Sequence, residues 1–304
     1  MPETIDKENC ENKISVIMSV YNEKKEWLQM SINSILNQSF KNFEFIIVLD
    51  NPDNIELKAV LEQFAANDSR IKLLYNKKNM GLVYSLNSAL KVAKGEYIAR
   101  MDADDISELD RLEVQYNYFE QNPDIDFVSG FIRIIDEFDN VIGIDKCTYC
   151  SEKDIKLNQA CNNFFPHPTW MFKKKILDKL DKYNNVPLAE DYDFTCRALI
   201  NNYNLCVIPR VLLNYRVRTT GISKSNVLKQ IMIAETIRKS YFNSLLFKKP
   251  FNPYEKINSI KINEIQNKRF LKAQEMKNKI VRKKDAIMIK IFRFVKNSNK
   301  YRHK

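Results

Sequence analysis

Arg100-Met101-Asp102-Ala103-Asp104-Asp105 carries three carboxylates in four positions, directly after the short apolar run Tyr97-Ile98-Ala99. The run reads as a buried strand. Carboxylates so crowded cannot all stay charged without a partner. A hard divalent cation with phosphate oxygens is such a partner, because Mg2+ takes one or two carboxylates and completes its shell with phosphate and water. A solvated acidic turn or helix start is the plainer use of the same residues, since Asp favours caps. A second acidic group, Glu190-Asp191-Tyr192-Asp193, opens a helical pattern in which Phe194, Ala198 and Leu199 face inward. One of its carboxylates could serve as a general base, although acids in a first helical turn also answer the helix dipole.

Two other stretches hold chemically capable side chains. Phe165-Pro166-His167-Pro168-Thr169-Trp170 is stiff and aromatic, suited to lining a pocket with His167 and Trp170. A satisfied loop histidine is the alternative for His167. Cys147, Cys150, Cys161 and His167 lack the tidy ligand pairs of structural zinc. Cys147 and Cys150 also lack the strand-to-helix setting of a redox pair, so buried reduced thiols are expected.

The elements that must position these groups alternate. Ile14–Val20, Phe45–Leu49, Ile71–Tyr75 and the run before Asp102 read as strands. Between them Leu28, Ile32, Ile35 and Leu36, then Leu57, Val60, Leu61 and Phe64, then Leu82, Leu86, Leu90 and Ala93 recur at helical spacing. Gly95 is expected to close the third helix as a C-terminal cap. A fourth helix is expected over 108–121 with Leu109, Leu112, Tyr116 and Phe119 inward, followed by shorter strands over 127–129, 131–135 and 141–144. This order predicts an α/β fold, a mostly parallel sheet flanked by helices. Ligands then bind beyond the carboxyl ends of the strands, where Tyr21-Asn22-Glu23, Asp50 and Asp102/Asp104 all fall.

The five glycines (81, 95, 130, 143, 221) form neither a G-x-G-x-x-G nor a Walker loop. A phosphate site here would lean on a metal. The Asp cluster is no EF-hand either, with Ile106 at the third acidic position. The net charge of +11 is uneven: residues 224–304 hold 22 Lys/Arg against 5 Asp/Glu, and residues 1–223 hold 27 against 33. An acidic body, 1–223, and a basic, mainly helical extension, 224–304, are expected to do different jobs. No apolar run approaches the roughly 18 residues of a membrane span, and Met1-Pro2-Glu3 does not begin like a signal peptide. A cytoplasmic protein is expected.

Taken in order, Val20-Tyr21-Asn22-Glu23, Glu44 to Asp50, Asn79-Met80-Gly81-Leu82, Gly95 to Asp105, Pro166-His167-Pro168-Thr169 and Ala189 to Asp193 resemble the family-2 glycosyltransferases of the GT-A fold, particularly bacterial enzymes of capsule or O-antigen synthesis. The resemblance spans roughly Ile14 to Ser223. It implies a UDP-sugar donor, a Mn2+ or Mg2+ cofactor and inversion at the sugar. Tyr21 would stack on uracil and Asp50 would accept its ring N–H. Glu23, Asn79 and Arg100 join the donor side, Asp102 contacts the ribose or diphosphate, and Asp104 holds the metal. Asp191 would be the base, with Glu190 beside it on the acceptor. Three positions depart from the family: Ser19 for Pro, Leu49 for Asp, and Arg218 where Tyr-Arg-x-His is usual. Arginine cannot ligate a metal but pairs with phosphate, so Arg218 is assigned to the diphosphate.

The implied acceptor is a glycan, expected to be lipid-linked. Ile231, Ile237, Tyr241, Leu245 and Leu246, and the mixed basic-apolar stretch Ile287 to Lys296, suit a helix on an anionic membrane surface. A helix packed on its own domain or on another subunit is the alternative. Two rival functions remain open at this level. A sugar-nucleotide nucleotidyltransferase would need a Gly-rich phosphate loop, which is missing. A non-catalytic nucleic-acid binder would use the basic tail but leave Asp50, Asp104 and Asp191 idle, so no nucleic acid is expected.

Overall fold

The structure is a computed structural model that describes residues 12–146, 155–218 and 227–260. It divides into two compact units, the first built from residues 12–146, 165–183 and 203–217, the second from 155–164, 184–202, 218 and 227–260. The charge boundary near Ser223-Lys224 and the stretch Ile287 to Lys296 lie outside the described residues.

The first unit begins β1 (Ile14–Val20), α1 (Lys25–Leu36), β2 (Phe43–Leu49), α2 (Ile55–Asn67), β3 (Ile71–Tyr75), α3 (Leu82–Val92) and β4 (Tyr97–Asp102). β1 pairs in parallel with both β2 and β4, and β2 with β3. β2 is buried along its whole length and β1 almost so, which explains their continuous apolar runs. β5 (Ile106–Ser107), α4 (Arg111–Gln121), β6 (Phe127–Ile135), β7 (Val141–Asp145), β8 (Met171–Lys173) and β9 (Leu205–Arg216) complete the unit's main elements. The sheet order is β3-β2-β1-β4-β8-β6-β9-β5, with β7 attached to β6. β8 is antiparallel to both β4 and β6, while β9 runs parallel to β6. One half of the sheet is therefore wholly parallel and the other mixed.

Most of the expected inward faces are buried, with three local differences. Leu109 is 63% exposed because β5 and the turn after it displace the start of α4 to Arg111. Leu82 sits in the first turn of α3 and is 37% exposed. Gly95 is no left-handed cap; a Cβ there would meet Ser15 N at 2.5 Å, so it permits close approach to β1. Among the described glycines the left-handed one is Gly81, with φ 87° at the start of α3.

The second unit contains α5 (Ile155–Gln159), α7 (Glu190–Ile200), α8 (Val227–Phe247) and α9 (Tyr254–Asn258); the short α6 (Leu177–Leu180) belongs to the first unit. α8 packs against α7 and buries Ile233, Ile237 and Tyr241, spaced four apart as a helix stripe requires. Ile231 is 37% exposed, and Leu245 and Leu246 are half-buried. The Tyr241 hydroxyl donates to the Lys156 carbonyl at 3.2 Å. This part of the basic extension is a packed element of its own unit.

Glu44 ties the amino end of the parallel half together. Its buried carboxylate accepts from Ser15 Oγ at 2.6 Å and from the Lys94 N–H at 2.6 Å, and pairs with Lys72. Burial raises its pKa, but Lys72, Ser15 and Lys94 outweigh that and hold it below the ordinary carboxylate range. Folding depresses this pKa, so the stabilisation is complete above the unfolded carboxylate range and is lost as pH falls below that range and through the lower folded pKa. Lys72 is partly exposed, which screens its share. Urea unfolding of Glu44→Gln at neutral pH is expected to show a loss of about 1–3 kcal/mol, and the gap to the parent should shrink steadily below pH ~4.5.

Candidate active site

In the first unit the strand order reverses direction between β1 and β4, the place where a doubly wound sheet opens a crevice at its carboxyl edge. Tyr21 leaves β1 with 42% of its surface exposed, so its ring is open to a flat partner. Its backbone N–H donates to Glu23 Oε2 at 2.8 Å, which spends part of Glu23 on closing this loop. Asp50 follows β2 and is 2% exposed. It accepts from Asn76 Nδ2 at 2.6 Å and from the N–H groups of Met80 and Gly81, each at 2.8 Å. Asn79 Oδ1 accepts from the same Gly81 N–H at 3.1 Å. Asp50 therefore clasps the loop that enters α3. Three donors leave part of the carboxylate's acceptor capacity unused.

At the end of β4 the three aspartates have three different fates. Asp102 Oδ2 pairs with Arg100, whose side chain is 3% exposed. Burial lowers the Arg100 pKa, but Asp102, Tyr183 and Asp105 together more than reverse it, so the guanidinium stays charged. The Asp102 carbonyl accepts from Ser31 Oγ at 2.8 Å, fixing the strand end to α1. Asp105 is fully buried; Oδ1 accepts the Arg216 N–H at 2.8 Å, and Oδ2 has no partner among the described residues. Burial, with Asp104 and Asp102 adding, pushes its pKa well above the ordinary range and favours the neutral acid. Asp104 stays half-exposed on the turn.

Arg216, which the sequence did not assign to the site, and Arg111 hold this arrangement. Arg216 is buried; its Nε donates to the Asp104 carbonyl at 2.8 Å and its Nη1 to the Asp136 carbonyl at 3.2 Å. It also pairs with Asp139 at 2.5 Å and lies 5.0 Å from the Trp27 ring centre. Arg111, wholly buried behind β4, donates from Nη2 to the Arg100 carbonyl at 2.7 Å and the Trp170 carbonyl at 3.3 Å. Burial and the neighbouring Arg100 push its pKa down to about 9, which leaves it cationic at neutral pH. The available signal for Arg216 was its place in Tyr215-Arg216-Val217-Arg218, but nothing local shows that β9 returns to the Asp turn.

His167 and Trp170 lie elsewhere than a pocket wall. Trp170 is fully buried and donates Nε1–H to the Phe165 carbonyl at 3.2 Å. His167 is 8% exposed, stands 4.3 Å from the Trp170 ring and shares a 3.0 Å hydrogen bond between Nε2 and the Tyr183 hydroxyl. Burial, with Arg100 adding, keeps this histidine neutral. Both side chains are packing residues behind β4 and β8. Cys161, Cys196 and Cys206 are thiols, while Cys147 and Cys150 lie outside the described residues.

In the second unit Asp191 and Glu190 sit half-buried in the first turn of α7. Asp191 Oδ2 accepts from Asn163 Nδ2 at 2.8 Å, and Oδ1 from the Tyr192 N–H at 2.7 Å. Both carboxylate oxygens are thus oriented. Asp193 is fully buried, paired with Arg197 at 2.8 Å and bonded to the Tyr254 hydroxyl at 3.0 Å. Burial raises its pKa against the pull of Arg197. Arg218 is half-buried beyond the end of β9.

Among the described residues no group of three or more His, Cys, Asp or Glu stands ready to hold a metal by itself. Mg2+ and Mn2+ favour oxygen donors, and Mg2+ takes one or two carboxylates with substrate phosphates. Half-exposed Asp104, with Asp102 two positions before it, fits that requirement and does not amount to an all-protein cage.

The parallel half-sheet, the mixed half and the acidic turn at the switch point define the GT-A fold. Residues 15–181 match Glycosyl transferase family 2, and the chain belongs to that family. The O-antigen biosynthesis glycosyltransferase WbnJ of Escherichia coli is 38% identical over 214 residues, 70% of this chain and 82% of that protein. Among solved structures, S. aureus TarS residues 1–349 in complex with UDP-GlcNAc superposes with TM-score 0.57 at 20% identity, covering 77% of this chain and 71% of that one. The mannosyltransferase PcManGT from Pyrobaculum calidifontis, with GDP-Man and Mn2+, gives TM-score 0.56 at 18% identity over 81% and 67%.

The Arg216 contacts predict a sharp stability effect. Arg216→Met removes the bonds to Asp104 and Asp136 and the Asp139 pair while keeping the backbone N–H to Asp105. Denaturant unfolding should show a loss of about 2–4 kcal/mol.

Proposed function

We propose that the chain is a metal-dependent, inverting glycosyltransferase that moves a sugar from a UDP-sugar to a hydroxyl of a glycan acceptor, lipid-linked, in bacterial surface-polysaccharide synthesis. The observation that carries this reading is the division of labour at the end of β4. Arg100 fixes Asp102, Asp105 is fully buried with the neutral acid favoured, and Asp104 remains half-exposed. Asp104 with Asp102 would hold Mn2+ or Mg2+, which when bound supplies positive charge against the departing diphosphate. The name of WbnJ supports the pathway, and the UDP-GlcNAc of TarS and the Mn2+ of PcManGT support the donor class and metal.

The chain's own residues have the remaining roles. Tyr21 stacks on the base and Asp50, beside Asn79, accepts its N–H. Glu23 keeps the Tyr21 loop in shape. Arg100 acts through Asp102, since it is buried. Arg218 pairs with the diphosphate. Asp191 takes the proton of the attacking hydroxyl, its oxygens held by Asn163 and the Tyr192 N–H, and Glu190 contacts the acceptor. Attack from the face opposite the leaving group inverts the anomeric carbon and needs no covalent intermediate.

UDP release from a panel of UDP-sugars with Mn2+ should occur with one sugar and vanish with EDTA; Asp104→Ala should cut it by about 10²–10³-fold. Asp191→Asn should lower transfer to an acceptor by about 10²–10⁴-fold while leaving metal-dependent UDP binding unchanged. Pyrophosphate instead of UDP as product would replace this reading with a nucleotidyltransferase. No metal-dependent UDP binding at all would point to a non-catalytic binding protein.

The basic extension is assigned to an anionic membrane surface, with the enzyme peripheral on the inner face. Among the described residues no helix is long and apolar enough to cross a membrane. Because α8 and α9 belong to the second unit's packing, the informative truncation ends at residue 260. Flotation with phosphatidylglycerol liposomes should carry the full chain and leave the 1–260 chain behind; equal behaviour of the two would end the idea.

A further inference from the structure

The second unit contains a recess of about 240 Å³ lined by Asn184, Asn185, Val186, Tyr254, Ile257 and Asn258. Its lining has no formally charged side chain, in a protein of net charge +11. Val186 and Ile257 are buried apolar groups beside a half-exposed tyrosine ring. The Asn185 and Asn258 side chains are exposed and make no hydrogen bond among the described residues. Each amide brings two donors and an acceptor oxygen. Drug-sized ligands occupy sites of about 300–1,000 Å³, so this recess suits one small ring.

The recess is built as well as lined. Asn184 Nδ2 donates to the Tyr254 hydroxyl at 2.8 Å and approaches Asp193 Oδ2 at 3.3 Å, while Tyr254 donates to Asp193 Oδ1 at 3.0 Å. Buried Asp193 thus pins both walls from behind, and its charge is met by Arg197. Leu188, two residues past Val186, holds φ 69°, a costly conformation for a bulky residue. Its carbonyl accepts from Gln230 of α8 at 3.1 Å. The strained loop runs on into the turn of α7 that carries Glu190 and Asp191.

Amides with open hydrogen-bonding capacity, an aromatic ring and an uncharged apolar floor match the hydroxyls and C–H faces of a neutral sugar, and offer no positive charge to a phosphate. We infer that this recess is a subsite for a single neutral sugar ring, supplied by the acceptor glycan. Tyr254, Ile257 and Asn258 come from α9, and all six lining residues lie beyond the segment matched to the family. The assignment to the acceptor rests on the glycosyl-transfer reading; the binding of a neutral sugar does not.

Saturation-transfer-difference NMR on the full chain, without donor or metal, tests it with methyl glycosides of neutral hexoses and N-acetylhexosamines. At least one glycoside should take up saturation. Asn185→Trp, which fills the recess from its exposed rim, and Asn258→Ala should each weaken that signal by about tenfold, with thermal unfolding unchanged. Asp104→Ala should keep it. Equal signals in parent and Asn185→Trp, or no glycoside taking up saturation, would overturn the subsite. Asn185-dependent glycoside binding without any UDP release would keep the subsite and remove the transfer reading. Where transfer is observed, Asn185→Trp should raise the acceptor KM and leave donor hydrolysis unchanged.

Discussion

Like charges at the end of a buried strand govern the first unit. Asp102, Asp104 and Asp105 are too close to share one environment, and the fold separates them by giving each a different one. Arg100 pairs with the first, burial favours the neutral form of the last, and the middle one keeps partial access to solvent without that pairing to Arg100. Much of the surrounding architecture serves that separation. Ser31 anchors the strand end, and Arg216 supplies N–H groups to Asp105 and Asp104 from β9.

The cost of that arrangement is visible in the buried cations. Arg100, Arg111 and Arg216 are each at most 3% exposed, and taking an ionised group out of water is costly unless it is paired and hydrogen-bonded. Arg111 donates to backbone carbonyls of β4 and of Trp170 and Arg216 to those of Asp104 and Asp136, while Arg100 Nε and Arg216 Nη2 have no hydrogen-bond partner among the described residues. Guanidinium groups suit this work because five donors in a fixed plane can satisfy several acceptors at once. The result is a rigid base beneath two partly exposed carboxylates, Asp102 and Asp104.

The second unit shows the same economy with different partners. Asp193 occupies the inside of the first turn of α7 and binds Arg197, Asn184 and Tyr254, whereas Asp191 on the same turn is oriented by Asn163 and stays half-buried. Two aspartates two positions apart are thereby given different environments by helix geometry. α8 and α9, which composition assigns to a basic tail, supply the stripe and the tyrosine that complete this unit.

Local pattern determined a large part of this protein. The alternation of apolar runs and helical spacing specified the parallel half-sheet, and the position of Asp50 and Asp102 after strands placed them at its carboxyl edge, because side-chain period and strand order are properties of neighbouring residues. Tertiary structure decided the rest. Which aspartate is paired, neutral or half-exposed depends on Arg216, more than a hundred positions away, and on burial. Trp170 reads as a pocket aromatic in sequence and is core in the fold, since an indole is equally suited to both and only its neighbours choose. Gly95 likewise reads as a helix cap but serves the close approach of β1. Contacts between residues distant in the chain leave no periodicity, and they decided which of the candidate side chains are exposed to act.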